Sequence, residues 1–95
     1  MFIETPNGNL KYRFPTVLEN LKILKAVREH YINNDDIGAK IAVIEFLEPM
    51  LDYSEMNGIK NFTELNNAGF EMTKPLSEIA DVILGKVGEA FAKKA

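Results

Sequence analysis

A chain of 95 residues leaves room for one domain, residues 1–95, and with 46% hydrophobic and 26% charged residues it has the balance of a chain that folds around its own core rather than that of a disordered tail. The 11 Lys and Arg against 14 Asp and Glu give a net charge of −3, which argues against a general phosphate-backbone binder, so nucleic acid is not an expected partner. With no cysteine there are no disulfides, thiolate zinc sites or thiol catalysis, and a small core without staples keeps a margin of roughly 5–10 kcal/mol, so association into a homo-oligomer or with a partner is one route to stability.

The chain opens with Met1-Phe2-Ile3-Glu4-Thr5, which lacks the basic and apolar regions of a secretion signal, and no run approaches the ~20 apolar residues of a bilayer span; a cytoplasmic location away from membranes is expected. Phe2–Thr5 and Leu10–Phe14 flank Pro6-Asn7-Gly8-Asn9, and Asn-Gly tolerates the positive φ angles of tight turns, so a β-hairpin is predicted. In its second strand Leu10, Tyr12 and Phe14 alternate with Lys11 and Arg13, which turns one face to a core.

Pro15 ends that strand, and Thr16-Val17-Leu18-Glu19 has the spacing of a capping box, opening a first helix near 16–32. Its buried line is expected to be Val17, Leu21, Leu24, Val27 and Tyr31. Asn33-Asn34-Asp35-Asp36 makes a turn, and Ile37, Ile41, Ile44, Leu47 and Leu51 recur at helical spacing, predicting a helix near 36–48 that Pro49 kinks or stops near Leu47, with Met50 to Ser54 as a further turn. Asn57-Gly58 is another turn. Asn61-Phe62-Thr63-Glu64 repeats the capping spacing before a short helix near 61–68 that Gly69 terminates at its C′ position. The last helix, near 74–93, has Thr73 as its expected cap, Pro75 in its first turn, and an inward stripe of Leu76, Ile79 or Ala80, Ile83, Val87, and Ala90 or Phe91, widened by Val82 and Leu84. The fold class that results is mainly α: a small domain of about four helices with an N-terminal β-hairpin.

Groups capable of chemistry are sparse. His30 is the single histidine, with no evident relay partner but the neighbouring Glu29, and it reads as a surface residue near a helix C-terminus, where positive charge suits the dipole. The pairs Asp35-Asp36, Glu45 with Glu48, and Asp52 with Glu55 lack the ligand spacing of a calcium loop and read as caps and solvated faces. Ser54 and Ser77 sit in no nucleophile elbow, and no glycine-rich phosphate loop exists. The expectation is a protein that is not an enzyme, with no metal, cofactor or catalytic residue. Gly85 and Gly88 inside the last helix cost about 1 kcal/mol each relative to alanine, which fits either close approach of a second backbone or bending near a chain end. Met50, Met56 and Met72, with Phe62 and Phe70, fit either ordinary core filling or an adaptable binding surface.

The stretch Leu10-Lys11-Tyr12-Arg13-Phe14-Pro15-Thr16-Val17-Leu18-Glu19-Asn20-Leu21 resembles the opening of the tail assembly chaperones of long-tailed bacteriophages, which pass from a short β-ribbon through a Pro-Thr-Val type junction into a first helix. Genes of that family commonly encode a longer product by ribosomal slippage, and Ala92-Lys93-Lys94 is what a slippery A-AAA-AAG stretch would encode; Lys-Lys is also common in helix C-terminal turns, where it complements the dipole, and that is the favoured reading. The resemblance implies a non-enzymatic protein, in the host cytoplasm, that binds the tape-measure protein and recruits tail-tube subunits. Residues off or at the rim of the inward stripes, Leu18, Ile23, Val82, Leu84 and Phe91, are then the expected partner contacts. The alternative is a small phage or bacterial regulatory protein that inhibits a host factor such as a nuclease, its acidic residues imitating phosphate, for which the charge is weak.

Overall fold

In the computed structural model, residues 1–92 are described, with side chains through Glu89. The elements in order are strands β1 (Phe2–Thr5) and β2 (Gly8–Tyr12), helices α1 (Val17–Ile32) and α2 (Asp36–Ile44), a 3-10 turn over Glu48–Met50, strand β3 (Leu51–Asp52), helix α3 (Phe62–Asn66), a second 3-10 turn over Phe70–Met72, and helix α4 (Thr73–Ala92). A mainly helical domain with an N-terminal hairpin is therefore the architecture.

The hairpin pairs Phe2 with Lys11 through Thr5 with Gly8, leaving Pro6-Asn7 as the connection. Gly8 takes φ +122° beside the backbone of Glu55, where a β-carbon would collide with the Glu55 carbonyl oxygen. The Thr5 hydroxyl donates to the Gly8 carbonyl at 2.7 Å and accepts from the Asn7 amide, closing the turn. Leu10 and Tyr12 enter the core as expected, whereas the strand ends at Tyr12 and Phe14 stays at the surface. The two-residue strand β3 pairs with β2, Lys11 facing Asp52 and Tyr12 facing Leu51, where the sequence suggested only a turn. The resulting order is β1-β2-β3, all antiparallel, and β1 rests on α4.

Helix α1 begins with the predicted capping box. The Glu19 amide donates to the Thr16 hydroxyl, and the Thr16 amide donates to the Glu19 carboxylate at 2.8 Å. Its inward face differs from the expected line. Ile23 and Val27 are fully buried, and Leu24 and Ala26 pack against the core, while Val17, Leu21 and Tyr31 are exposed. The true stripe is rotated by roughly 70° at about 100° per residue.

Helix α2 starts on Asp35, whose carboxylate accepts from the Gly38 amide, and it ends at Ile44, earlier than expected; Pro49 sits in the 3-10 turn that follows. Helix α3 is capped by Asn61, whose side chain accepts from the Glu64 amide at 2.8 Å. Because Asn67 is the C-cap of α3, Gly69 lies one residue beyond C′ and at φ +120° begins the second 3-10 turn. That turn runs straight into α4, so Thr73 has helical φ and ψ and is not a cap. Leu76, Ile79, Ala80, Ile83 and Val87 form the inward stripe of α4 as predicted, and Ala90 and Phe91 lie outside the residues whose side chains are described.

One apolar core joins all layers, from Leu10 and Tyr12 of the sheet through Ile23, Val27, Ala39 and Val43 to the α4 stripe. Met50, Met56 and Met72 are buried in it, so the core-filling reading of the methionines holds, and Phe70 remains 87% exposed. A β-carbon on Gly85 or Gly88 would meet no heavy atom within 4 Å, so neither glycine serves a close packing contact among the described residues.

Candidate functional site

The features with most to offer a partner are apolar side chains left outside the core. On α1, Val17 is 78% exposed and Leu18 61%, with Leu21 and Ile32 beside them; on α2, Ile37 and Ile41 are exposed. These residues lie on the sides of the two helices turned away from their mutual contact, because the facing sides are already occupied by Ile23, Val27, Ala39 and Val43.

The five expected contacts fare differently. Leu18 lies on the open face of α1, and Val82 is 40% exposed on α4. Leu84 is half-buried and packs against the core from the rim, beside Tyr31, Asp36, Lys40 and Asp81. Ile23 is a correction: it is fully buried between α1 and its neighbours and cannot touch a partner of the folded chain. Phe91 falls outside the described side chains. Sequence reasoning missed Val17 and Leu21 by placing them inward, and for Ile37 and Ile41 it noted the helical spacing without assigning an inward or outward face. The surplus of apolar residues on these helices was the available signal.

Polar contacts fix the elements that carry these faces. Arg13 makes a two-pronged pair with Glu19, at 2.8 and 3.1 Å, and also donates to the Pro49 carbonyl oxygen, so the strand end, the start of α1 and the turn after α2 meet at one guanidinium. The hydrogen bond from Arg13, together with that from the Thr16 amide, pulls the Glu19 carboxyl down to about 2. Lys40 donates to the Ser77 hydroxyl at 2.9 Å and pairs with Asp81 at 3.3 Å, tying α2 to α4. Lys11 pairs with Glu55 at 3.1 Å, so the acids near the sheet are solvated pairs and turn caps, Asp52 accepting from the Ser54 amide.

His30 does have a carboxylate neighbour, Asp35 rather than Glu29, with Nδ1 at 3.1 Å from Oδ2. The Gly38 amide and then His30 hold the Asp35 carboxyl below its usual range. The sequence could not show this pair because the α1–α2 corner brings together residues from opposite sides of a turn. Among the described residues no nucleophilic side chain joins it, and its carboxylate is spent on capping α2, so its evident work is to lock the corner. Tyr53 is pushed up to about 12, chiefly by burial, and its hydroxyl has no hydrogen-bond partner among the described residues.

The surface hollows are shallow. One of them, about 500 Å³, is lined by Phe2, Lys11, Arg13, Pro49 and Asp52 among others, and its charged groups are engaged in the pairs above or spread along the sheet edge. Among the described residues, no group of three or more His, Asp or Glu is placed to hold a metal ion, and no helix is long and apolar enough to cross a membrane.

Compared with models of known protein families, with curated protein sequences and with solved structures, the chain matches none of them. The candidate site therefore stands on its own geometry: two helices rigidly tied to the core, each presenting isolated apolar side chains to solvent.

Proposed function

We propose that this protein is a non-enzymatic tail assembly chaperone of a long-tailed bacteriophage, acting in the host cytoplasm, where it binds the tape-measure protein and recruits tail-tube subunits through apolar helix surfaces. The observation that carries the reading is the exposure of Val17, Leu18 and Leu21 at the start of α1, directly after the strand-to-helix junction on which the resemblance rests. A client helix laid along that face could bury these side chains, each worth about 1.5–3 kcal/mol of transfer free energy. Ordering and immobilisation costs offset much of that gain, which suits capture that must be reversible. The rigid seat matters as well. The Thr16–Glu19 capping box and the Arg13 clamp hold the first turn of α1, so presenting the face requires no rearrangement.

The contact set is therefore Leu18 with Val17 and Leu21, extended on α4 by Val82 and the rim residue Leu84. The test is co-purification of the tagged protein with the tape-measure and tube proteins encoded beside its gene. Replacing Leu18 and Leu21 by Asp should reduce capture by about tenfold or more while the circular dichroism of the helices is kept. Undiminished capture by the folded double variant overturns this surface, and failure of the unaltered protein to retain either client overturns the chaperone reading.

A further inference from the structure

The sequence holds two Asn-Gly pairs, Asn7-Gly8 and Asn57-Gly58, and the fold sets them side by side. The Asn57 amide donates to the Asn7 carbonyl oxygen at 2.8 Å, and the Asn7 side-chain amide donates to the Asn57 carbonyl oxygen at 3.2 Å. In such a pair the glycine nitrogen, unshielded by a side chain, can attack the asparagine side-chain carbonyl carbon, provided that both groups are free to meet. The two pairs differ in that freedom. Asn7 is half-buried, its Nδ2 is committed to Asn57, and its own amide donates to the Thr5 hydroxyl. Gly8 is committed as well. Tyr12 donates to the Met1 carbonyl oxygen, so alternation along the register makes Thr5 and Gly8 a hydrogen-bonded pair too, and the Glu55 backbone covers Gly8. By contrast Asn57 is exposed, and neither its side chain nor the Gly58 amide has a hydrogen-bond partner among the described residues. A β-carbon on Gly58 would meet no heavy atom within 4 Å, so space is open around the nitrogen that has to attack.

We infer that Asn57-Gly58 is a site of spontaneous deamidation in the folded protein, and that the fold protects Asn7-Gly8 from the same reaction. The Gly58 nitrogen bonds to the Asn57 Cγ, the Cγ–Nδ2 bond breaks, and the proton lost by the Gly58 nitrogen leaves with Nδ2 as ammonia. The five-membered succinimide that forms is then opened by water. Hydrolysis at Cγ leaves aspartate; hydrolysis at the original peptide carbon leaves isoaspartate, in which the chain runs on through Cβ and Cγ and the former backbone carbonyl becomes a free carboxylate. Either product adds a negative charge two residues from Glu55. The isoaspartate does more. It lengthens the backbone between Met56 and Ile59, both buried, and it alters the carbonyl group that receives the Asn7 side chain, so it loosens the tie between this loop and the hairpin turn.

The inference is independent of the client-binding reading and is measured on the protein alone. The folded protein is incubated in mildly alkaline buffer, and peptide mapping by mass spectrometry follows the conversion of amide to acid at each asparagine. Conversion at Asn57 should outpace that at Asn7 by about tenfold or more, whereas in urea, with the hairpin and its contacts gone, the two should convert at similar rates. Enzymatic methylation by an isoaspartyl methyltransferase with S-adenosylmethionine should label the aged protein at position 57. Asn57→Gln, which would have to close a six-membered ring, should take up little label while keeping the circular dichroism of the parent. The aged protein should also unfold at lower urea than Asn57→Asp, which carries the charge on an ordinary backbone. Equal conversion of Asn7 and Asn57 in the folded state, or an Asn57 that stays intact while the urea-unfolded chain converts, would overturn the site. An aged protein as stable as Asn57→Asp would overturn the loosening of the tie.

Discussion

Glu19 shows how much one side chain can organise. It accepts from the Thr16 amide to complete the capping box and receives both prongs of the Arg13 guanidinium, which in turn holds the Pro49 carbonyl. Its carboxyl stands near 2 in the folded protein against about 4.5 for an unperturbed glutamate. Because the folded value is depressed, the stabilisation is fully present above the unfolded value and is lost as pH falls from about 4.5 towards about 2. With Arg13 about half exposed, solvent screens the pair, and the expected cost of Glu19→Gln near neutral pH is about 1 kcal/mol. Urea titrations at a series of pH values should show the unaltered protein losing stability more steeply than Glu19→Gln over that window; parallel curves would exclude the role. The cap half of this arrangement was legible in Thr16-x-x-Glu19, since the spacing is local. The Arg13 and Pro49 half was not, because it joins residues 36 positions apart.

At the scale of elements, α4 and α1 make opposite lessons. The stripe of α4 was readable because Leu76, Ile79, Ile83 and Val87 fall on one side, with charged residues such as Glu78, Asp81 and Lys86 elsewhere. Helix α1 carries Val17, Leu18, Leu21, Ile23, Leu24, Val27, Tyr31 and Ile32, apolar on nearly every side, so its periodicity admits more than one inward line. What chooses between them is the docking of α2, set by the corner at Asn33–Asp35, where Asn34 takes φ +56° and Asp35 meets His30. Ile23→Ala should therefore cost about 2–4 kcal/mol by leaving a cavity, whereas Leu21→Ala should change stability by no more than about 0.5 kcal/mol. Thermal and urea unfolding of the two variants would check this, and equal effects would contradict the observed stripe. The same rotation removes Ile23 from the proposed partner surface and adds Val17 and Leu21 to it.

Across the whole molecule, the parts that escaped the sequence are those made by distant segments. Strand β3 is two residues long and has no alternation of its own; it exists because Arg13 donates to the Met50 carbonyl through its amide and the following residues align with β2. Likewise Gly8 needs its missing side chain for more than the turn, since Glu55 passes directly over it and Met56 bridges to it. Gly8→Ala should accordingly destabilise the fold by more than the ordinary cost of a positive φ, at least about 2 kcal/mol, and do so together with loss of the long-range Asn57 to Asn7 backbone bond, detectable as faster amide exchange at Asn57. An unchanged unfolding midpoint would show that the loop over the hairpin yields freely.

The amino-acid sequence by itself determined the class of the domain, the helix starts at Thr16, Asp35 and Asn61, the hairpin, and the buried stripe of α4, because each depends on residues within a turn or two of one another. Only the tertiary structure decided which side of α1 faces inward, which acid meets His30, and which apolar residues remain exposed. Those outcomes depend on how one element docks against another, and packing can select among several faces that a local pattern leaves equally apolar.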